Sequence, residues 1–409
     1  MEIIPTCINK RWYARAVLIG AFLCSILFPS FQAYAQEASV SMEEVSDSAA
    51  EDIAVANYTP NTYVLGEVLS IVEEGIDSMG GMEESYQLVL VKVVSGESAD
   101  DVVTIEYRSS SAGFEHVRLE EGSSVILVHM VDARGSTYYI QDHFRLPIVL
   151  GLALFFGLLA IVLGRWRGAM SLVGLGVSLI VLTSFVIPHI MNGDSPLVIS
   201  AIGAVAIAMS SLFLAHGFTK RTTLAFAATM FVLALAFGLA YATVIWATLS
   251  GASTEEAIFL QIGYLQTLDL RGLLLGGLVI GALGVLDDVT TAQVAAVEQI
   301  ARANRALDAG ELYKRGIAVG REHIASLVNT LALAYVGASF PLFLLFSLPD
   351  NPPLWVILNS ESVTEELLRA LIGGSALMLA VPVSTMLAAW AFGKGWIKIR
   401  EEKGHAHVH

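Results

Sequence analysis

Arg271-Gly-Leu-Leu-Leu-Gly-Gly-Leu-Val-Ile-Gly-Ala-Leu-Gly-Val-Leu-Asp-Asp-Val-Thr-Thr-Ala-Gln293 is the stretch that decides the fold. From Gly272 to Leu286 it carries no charge, and the chain around it holds further apolar runs of the same kind, so it reads as one pass of a multi-span membrane protein. Gly272, Gly276, Gly277, Gly281 and Gly284 recur at close to four-residue spacing. Small residues so placed let a neighbouring helix approach, which predicts a central helix packed through these five glycines. Asp287 then lies on the order of 24 Å from the start of the helix at 1.5 Å per residue, within a hydrocarbon layer about 30 Å thick. At 100° per residue, Gly284, Asp287, Asp288, Thr291, Glu298 and Arg302 share one stripe. Two adjacent carboxylates at that depth need a partner, so the pair is a candidate functional site.

A second polar stripe opens the next apolar run, where Glu322, His323, Ser326, Asn329 and Thr330 share about 120° of helical arc. The two stripes enter the membrane at the same depth and from the same side. One reading sets them face to face, with His323 or an Arg neutralising Asp287 or Asp288, as a polar pocket for a cation or proton. The other is an interfacial cap, in which the carboxylates end the span and Thr290 and Thr291 cap a following helix. That following helix is expected over Val294 to Leu307, with Glu298 pairing with Arg302.

Composition agrees with a membrane chain: of 409 residues, 55% are hydrophobic and only 15% charged, where a soluble domain carries roughly 25%. Seven spans are expected over residues 146–164, 169–187, 197–218, 222–249, 272–289, 323–347 and 367–393, within a domain at 145–393. Between them an interfacial helix is expected from Thr254 to Leu270, with Ile258, Phe259, Ile262 and Leu265 on its apolar face. Thirteen Lys and Arg side chains fall on one side of these spans and only Arg271 and Arg369 on the other. That bias places the C-terminal tail, 394–409, in the cytoplasm.

The net charge of -15 is unevenly distributed, with -17 in residues 36–144 and none left over for residues 145–409. Residues 1–35 have a basic start, an apolar run from Ala16 to Phe28 and then Ala33-Tyr34-Ala35, the pattern of a cleaved signal peptide. Both cysteines, Cys7 and Cys24, lie inside it, which leaves the rest of the chain no thiol for a disulfide, a metal or a nucleophile. Residues 36–60 read as a disordered acidic tether. Residues 61–144 change to short β-branched runs at 62–72, 86–94, 102–108, 123–132 and 137–142, as in a small, five-stranded, all-β extracytoplasmic barrel of the OB type. Its acidity argues against nucleic acid.

Gly281-Ala-Leu-Gly-Val-Leu-Asp-Asp-Val-Thr-Thr-Ala-Gln293 and the run from Gly320-Arg-Glu-His to Tyr335-Val-Gly-Ala-Ser339 closely resemble the YibE/F-like family of bacterial multi-pass membrane proteins. The resemblance extends over roughly residues 60 to 393, and the family's usual Asp matches Asp288, with Asp287 an additional carboxylate. It implies a bacterial plasma membrane protein and no particular substrate. The chain has no phosphate loop, zinc-protease motif or nucleophile elbow, so neither an enzyme nor a cofactor is expected. No metal set is assigned; His405, His407 and His409 sit in a short tail. The leading expectation is a permease for a small solute, ion or proton, in contact with the lipid bilayer. The alternative is a non-transporting scaffold or regulator whose acidic domain docks an envelope protein.

Overall fold

A computed structural model describes residues 62–397, apart from 80–81, 97, 109–117, 133–134, 264 and 349–351. The signal segment, the tether and the terminal histidines lie outside these. The described chain divides into two units, residues 62–159 and 160–397.

In the first unit, β1 (Thr62–Met79), β2 (Met82–Val93), β3 (Val102–Arg108), β4 (Ser124–Asp132) and β5 (Gly135–His143) form one antiparallel sheet in the order β3-β2-β1-β4-β5. All five strands stand near their expected places. β1 and β2 run further than the alternation suggested because, past the β3 pairing at Tyr86, they continue as a two-stranded ribbon to the Met79–Met82 pair. Register shifts in β1 between Val68 and Ser70, and again between Ile71 and Glu73, turn the strand. The edge strands β3 and β5 come close without sharing a ladder, so the sheet curls. Val68, Val89, Val91, Val93, Ile105, Val125 and Leu127 fill its inside. Gly66 is a close-approach position: a β-carbon there would lie 2.8 Å from both Leu127 Cδ1 and Val91 Cγ1. Buried Gln87 accepts a hydrogen bond from the Leu119 amide at 2.8 Å, tying that segment to β2.

The helical elements are α1 (Leu146–Val181), a π-turn (Leu182–Val186), α2 (Ile187–Met191), α3 (Pro196–His216), α4 (Lys220–Trp246), α5 (Glu255–Gly263), α6 (Leu270–Ala303), α7 (Ala309–Ala338), α8 (Phe340–Phe346), α9 (Leu354–Leu358) and α10 (Glu361–Gly393). Five of the described helical stretches, 146–191, 196–216, 220–246, 270–303 and 361–393, are long and apolar enough to cross a bilayer. The expected count was seven. The first two expected spans fall in one stretch, interrupted where Arg165 takes a left-handed φ of 53°. α7, which holds the expected sixth span, is diluted by Glu311, Lys314, Arg315, Arg321 and Glu322 in its first half. The expected interfacial helix is shorter than its pattern, spanning only α5, with Phe259 and Ile262 exposed.

α6 is the hub of the second unit, packing against α3, α4, α7 and α10. Its N-terminus is capped by Asp269, whose carboxylate accepts from the Gly272 amide at 2.9 Å. Ala204 and Ala208 of α3, Val232 and Ala236 of α4, Leu275 and Leu283 of α6, and Ala376 and Ala380 of α10 share one buried cluster. The many alanines let the backbones approach closely.

Candidate functional site

α6 runs without a break through Asp287 and Asp288 to Ala303. The capping part of the interfacial-cap reading therefore fails: the carboxylates lie inside one continuous helix, and no new helix begins at Thr290 or Thr291. The Thr291 hydroxyl donates back to the Asp287 and Asp288 carbonyls, at 2.9 and 3.1 Å. Glu298 and Arg302 pair as expected at 2.7 Å, and Glu298 also takes Arg221 of α4 at 3.3 Å.

The face-to-face pocket is also corrected. Asp287 is half-buried and lies beside Ser211 of α3; its Oδ1 atom is buried with no partner. Asp288 is exposed. So are Glu322, His323, Ser326, Asn329 and Thr330, because α7 packs through Gly316 and Gly320 on its other side. Among the described residues, no ion pair or hydrogen bond joins Asp287 or Asp288 to His323 or to an Arg. The carboxylate pair thus belongs with α3 and not with the α7 stripe.

The glycines divide in the same way. A β-carbon on Gly276 would lie 2.3 Å from Ser200 Oγ, so this glycine does admit α3. On Gly272 it would meet the Asp269 cap at 2.4 Å. Gly277, Gly281 and Gly284 are exposed, and a β-carbon on any of them would meet nothing within 4 Å. A helical wheel identifies a face but not the neighbour that covers it.

Sequence reasoning missed the polar groups that are deepest. Gln293, 1% exposed, donates through Nε2 to the Gly316 carbonyl at 2.8 Å and to Thr385 Oγ1 at 2.7 Å, joining α6, α7 and α10. Its Oε1 is buried and unpartnered. One turn earlier, the hydroxyls of Thr290 and Thr229, both wholly buried, bond each other at 2.7 Å between α6 and α4. Asp287, Thr290 and Gln293 are three residues apart, a rise of roughly 9 Å over six residues. Three-residue spacing was the available signal. Asp287, Asp288 and Glu298 drew the reading to a neighbouring stripe.

A second cluster sits at the α6 N-terminal end. Glu361 Oε1 accepts from the Ser250 amide, the Ser250 hydroxyl and the Gly251 amide, while Glu365 Oε2 accepts from the Ser253 hydroxyl at 2.5 Å. These partners are more than 100 residues apart in sequence, which no local pattern reveals.

The profile of the YibE/F-like protein family matches residues 152–394, more than half of the chain. The chain belongs to the YibE/F-like family. The match begins beyond the sheet, so the YibE/F-like resemblance covers the helices and not the β domain from residue 60 as expected. No curated protein and no solved structure matches the chain. In this YibE/F-like protein Asp288 is the exposed member of the pair, and Asp287 is the one turned inward.

Proposed function

We propose that this YibE/F-like protein is a permease for a small cation or proton, with Asp287 as its intramembrane binding group. The observation that carries this is the buried, unpartnered Oδ1 of Asp287 on the central helix of an alanine- and leucine-lined bundle. A carboxylate there is costly unless something cationic satisfies it, so an ionisable residue inside a span is a functional site by default. The adjoining Asp288 adds negative charge, and the Thr229–Thr290 and Gln293–Thr385 pairs continue polar oxygen atoms along the same helix. Its role is binding and passage, and catalysis has no part in it.

The topology that goes with this reading has seven passes, with the break at Arg165 as a cytoplasmic turn and α7 as a further pass. The curled sheet is then an OB-type barrel outside the bacterial plasma membrane, and the C-terminus is cytoplasmic. The lysine and arginine bias supports this orientation. A non-transporting scaffold has its own support in the acidic rim of the sheet, where Glu67, Glu106, Glu120 and Glu121 are exposed and suited to an envelope partner with a basic face. Reconstitution into liposomes separates the two. The permease gives proton or metal-cation flux above protein-free vesicles. No flux across a panel of mono- and divalent cations, with a partner recovered on the β domain, refutes it in favour of the scaffold.

A further inference from the structure

At the end of the bundle remote from Asp287, three segments meet: the α4–α5 connection, the start of α6, and the first two turns of α10. Gly251 is pressed against α6, since a β-carbon there would lie 2.3 Å from the Leu270 carbonyl oxygen, and its φ of 79° also requires glycine. Arg271 donates to the Leu249 carbonyl at 2.9 Å. Glu361 gathers three donors on one oxygen and so pins Ser250 and Gly251 to α10. That much is ordinary loop anchoring.

Glu365 is not explained by it. One turn further along α10, it is 5% exposed, its Oε2 takes the Ser253 hydroxyl, and its Oε1 is buried without any partner. The charges around it are Glu361, Glu366 and Arg369 on α10, with Arg271 of α6 acting on Glu361. Glu366 is satisfied by Arg369 at 2.5 Å. Setting Arg271 against Glu361 leaves one uncompensated negative charge, on Glu365. A lone buried carboxylate is expensive and needs a counter-charge.

We propose that Glu365 and Ser253 form a binding site for one monovalent metal cation of the Na⁺ or K⁺ class, at the opposite end of the bundle from Asp287. Both oxygens of Glu365 and the Ser253 hydroxyl are the ligands, and hard oxygen donors of this type suit such an ion. The residual charge of one argues for a monovalent ion over a divalent one. The Ser250–Ser253 strap, held down by Glu361, covers the ion. The site does not depend on transport through Asp287.

The test is thermal unfolding of the purified full-length protein in detergent, with Na⁺ or K⁺ replacing choline at constant ionic strength and fixed pH. The wild type gains on the order of 2–3 °C from the metal cation. Glu365→Gln keeps the shape without the charge; it unfolds in choline no lower than the wild type and loses the cation-dependent shift. Ser253→Ala retains the carboxylate and raises the cation concentration at half-shift several-fold, which keeps the question open to test should Glu365→Gln fold poorly. Asp287→Asn retains the shift. Persistence of the shift in Glu365→Gln overturns the proposal, as does its loss in Asp287→Asn alone, which assigns the ion to the other carboxylate. A wild-type stability that responds to pH but not to Na⁺ or K⁺ overturns it too, in favour of a proton. These readouts report binding and not flux, so the permease reading can fail while this site stands.

Discussion

Replacing the Thr229–Thr290 pair with valines tests how α4 and α6 are joined next to Asp287. Valine has nearly the shape of threonine and a similar helix propensity, so the swap isolates the hydroxyls. Both side chains are wholly buried and their oxygens are 2.7 Å apart. Thr290→Val leaves the Thr229 hydroxyl buried with that bond gone, at a cost of about 1–2 kcal/mol. Thr229→Val costs less, about 0.5–1 kcal/mol, because the Thr290 hydroxyl still has the Asp287 carbonyl at 3.3 Å. The double variant has no hydroxyl to leave unpaired and is expected within about 0.5 kcal/mol of the wild type. The coupling is therefore about 1–3 kcal/mol, at or above the upper end for hydrogen bonds between membrane helices. Reversible unfolding in mixed micelles of dodecyl maltoside and SDS measures all four corners of the cycle. Single effects that add to within about 0.3 kcal/mol would refute a bond between these helices.

Four further outcomes follow from the packing and the charges. Gly320→Ala puts a β-carbon 2.3 Å from Val381 Cγ1 and 3.0 Å from Gln293 Nε2, and is expected to cost about 1–3 kcal/mol in the same micelle assay. Gly277→Ala, with open space around it, instead gains up to about 1 kcal/mol from helix propensity. In the β domain, the Arg145 guanidinium and then the His143 amide hold the Asp142 carboxyl below its usual range. A folded value depressed in this way stabilises above the unfolded pKa of about 3.9 and is lost as pH falls through the folded value. Hydrogen exchange should therefore show β5 amides losing protection below about pH 4, with a smaller pH response in Asp142→Asn. Gln87→Leu removes the acceptor for the Leu119 amide, and faster exchange at Leu119 with the strand ladders intact is the expected result.

The strands were legible because β-branched alternation marks each of them, as in Val89-Leu-Val-Lys-Val93, and their boundaries failed only where β1 and β2 leave the sheet as a ribbon. The helices were legible as apolar runs, but α6 was cut short at Asp287 and Asp288 because two carboxylates resemble a membrane boundary. They are tolerated inside the helix because one of them lies beside Ser211 of α3 and the other lies on an exposed face. Partners were not legible. Gln293 is ordinary in sequence, and only the crossing of α7 at Gly316, with Thr385 of α10 beside it, makes it a buried junction. His323 had the right residue type and depth to answer Asp287, yet Gly316 and Gly320 turn its side of α7 outward.

Cation flux into proteoliposomes, compared between the wild type, Asp287→Asn and Asp288→Asn at equal protein content, tests the central claim most directly. The account predicts flux in the wild type, a fall of about tenfold or more in Asp287→Asn, equivalent to at least ~1.4 kcal/mol, and a smaller effect in Asp288→Asn, whose carboxylate is exposed. Flux unchanged by Asp287→Asn, or reduced more by Asp288→Asn, would contradict the assignment of the inward-turned carboxylate as the binding group.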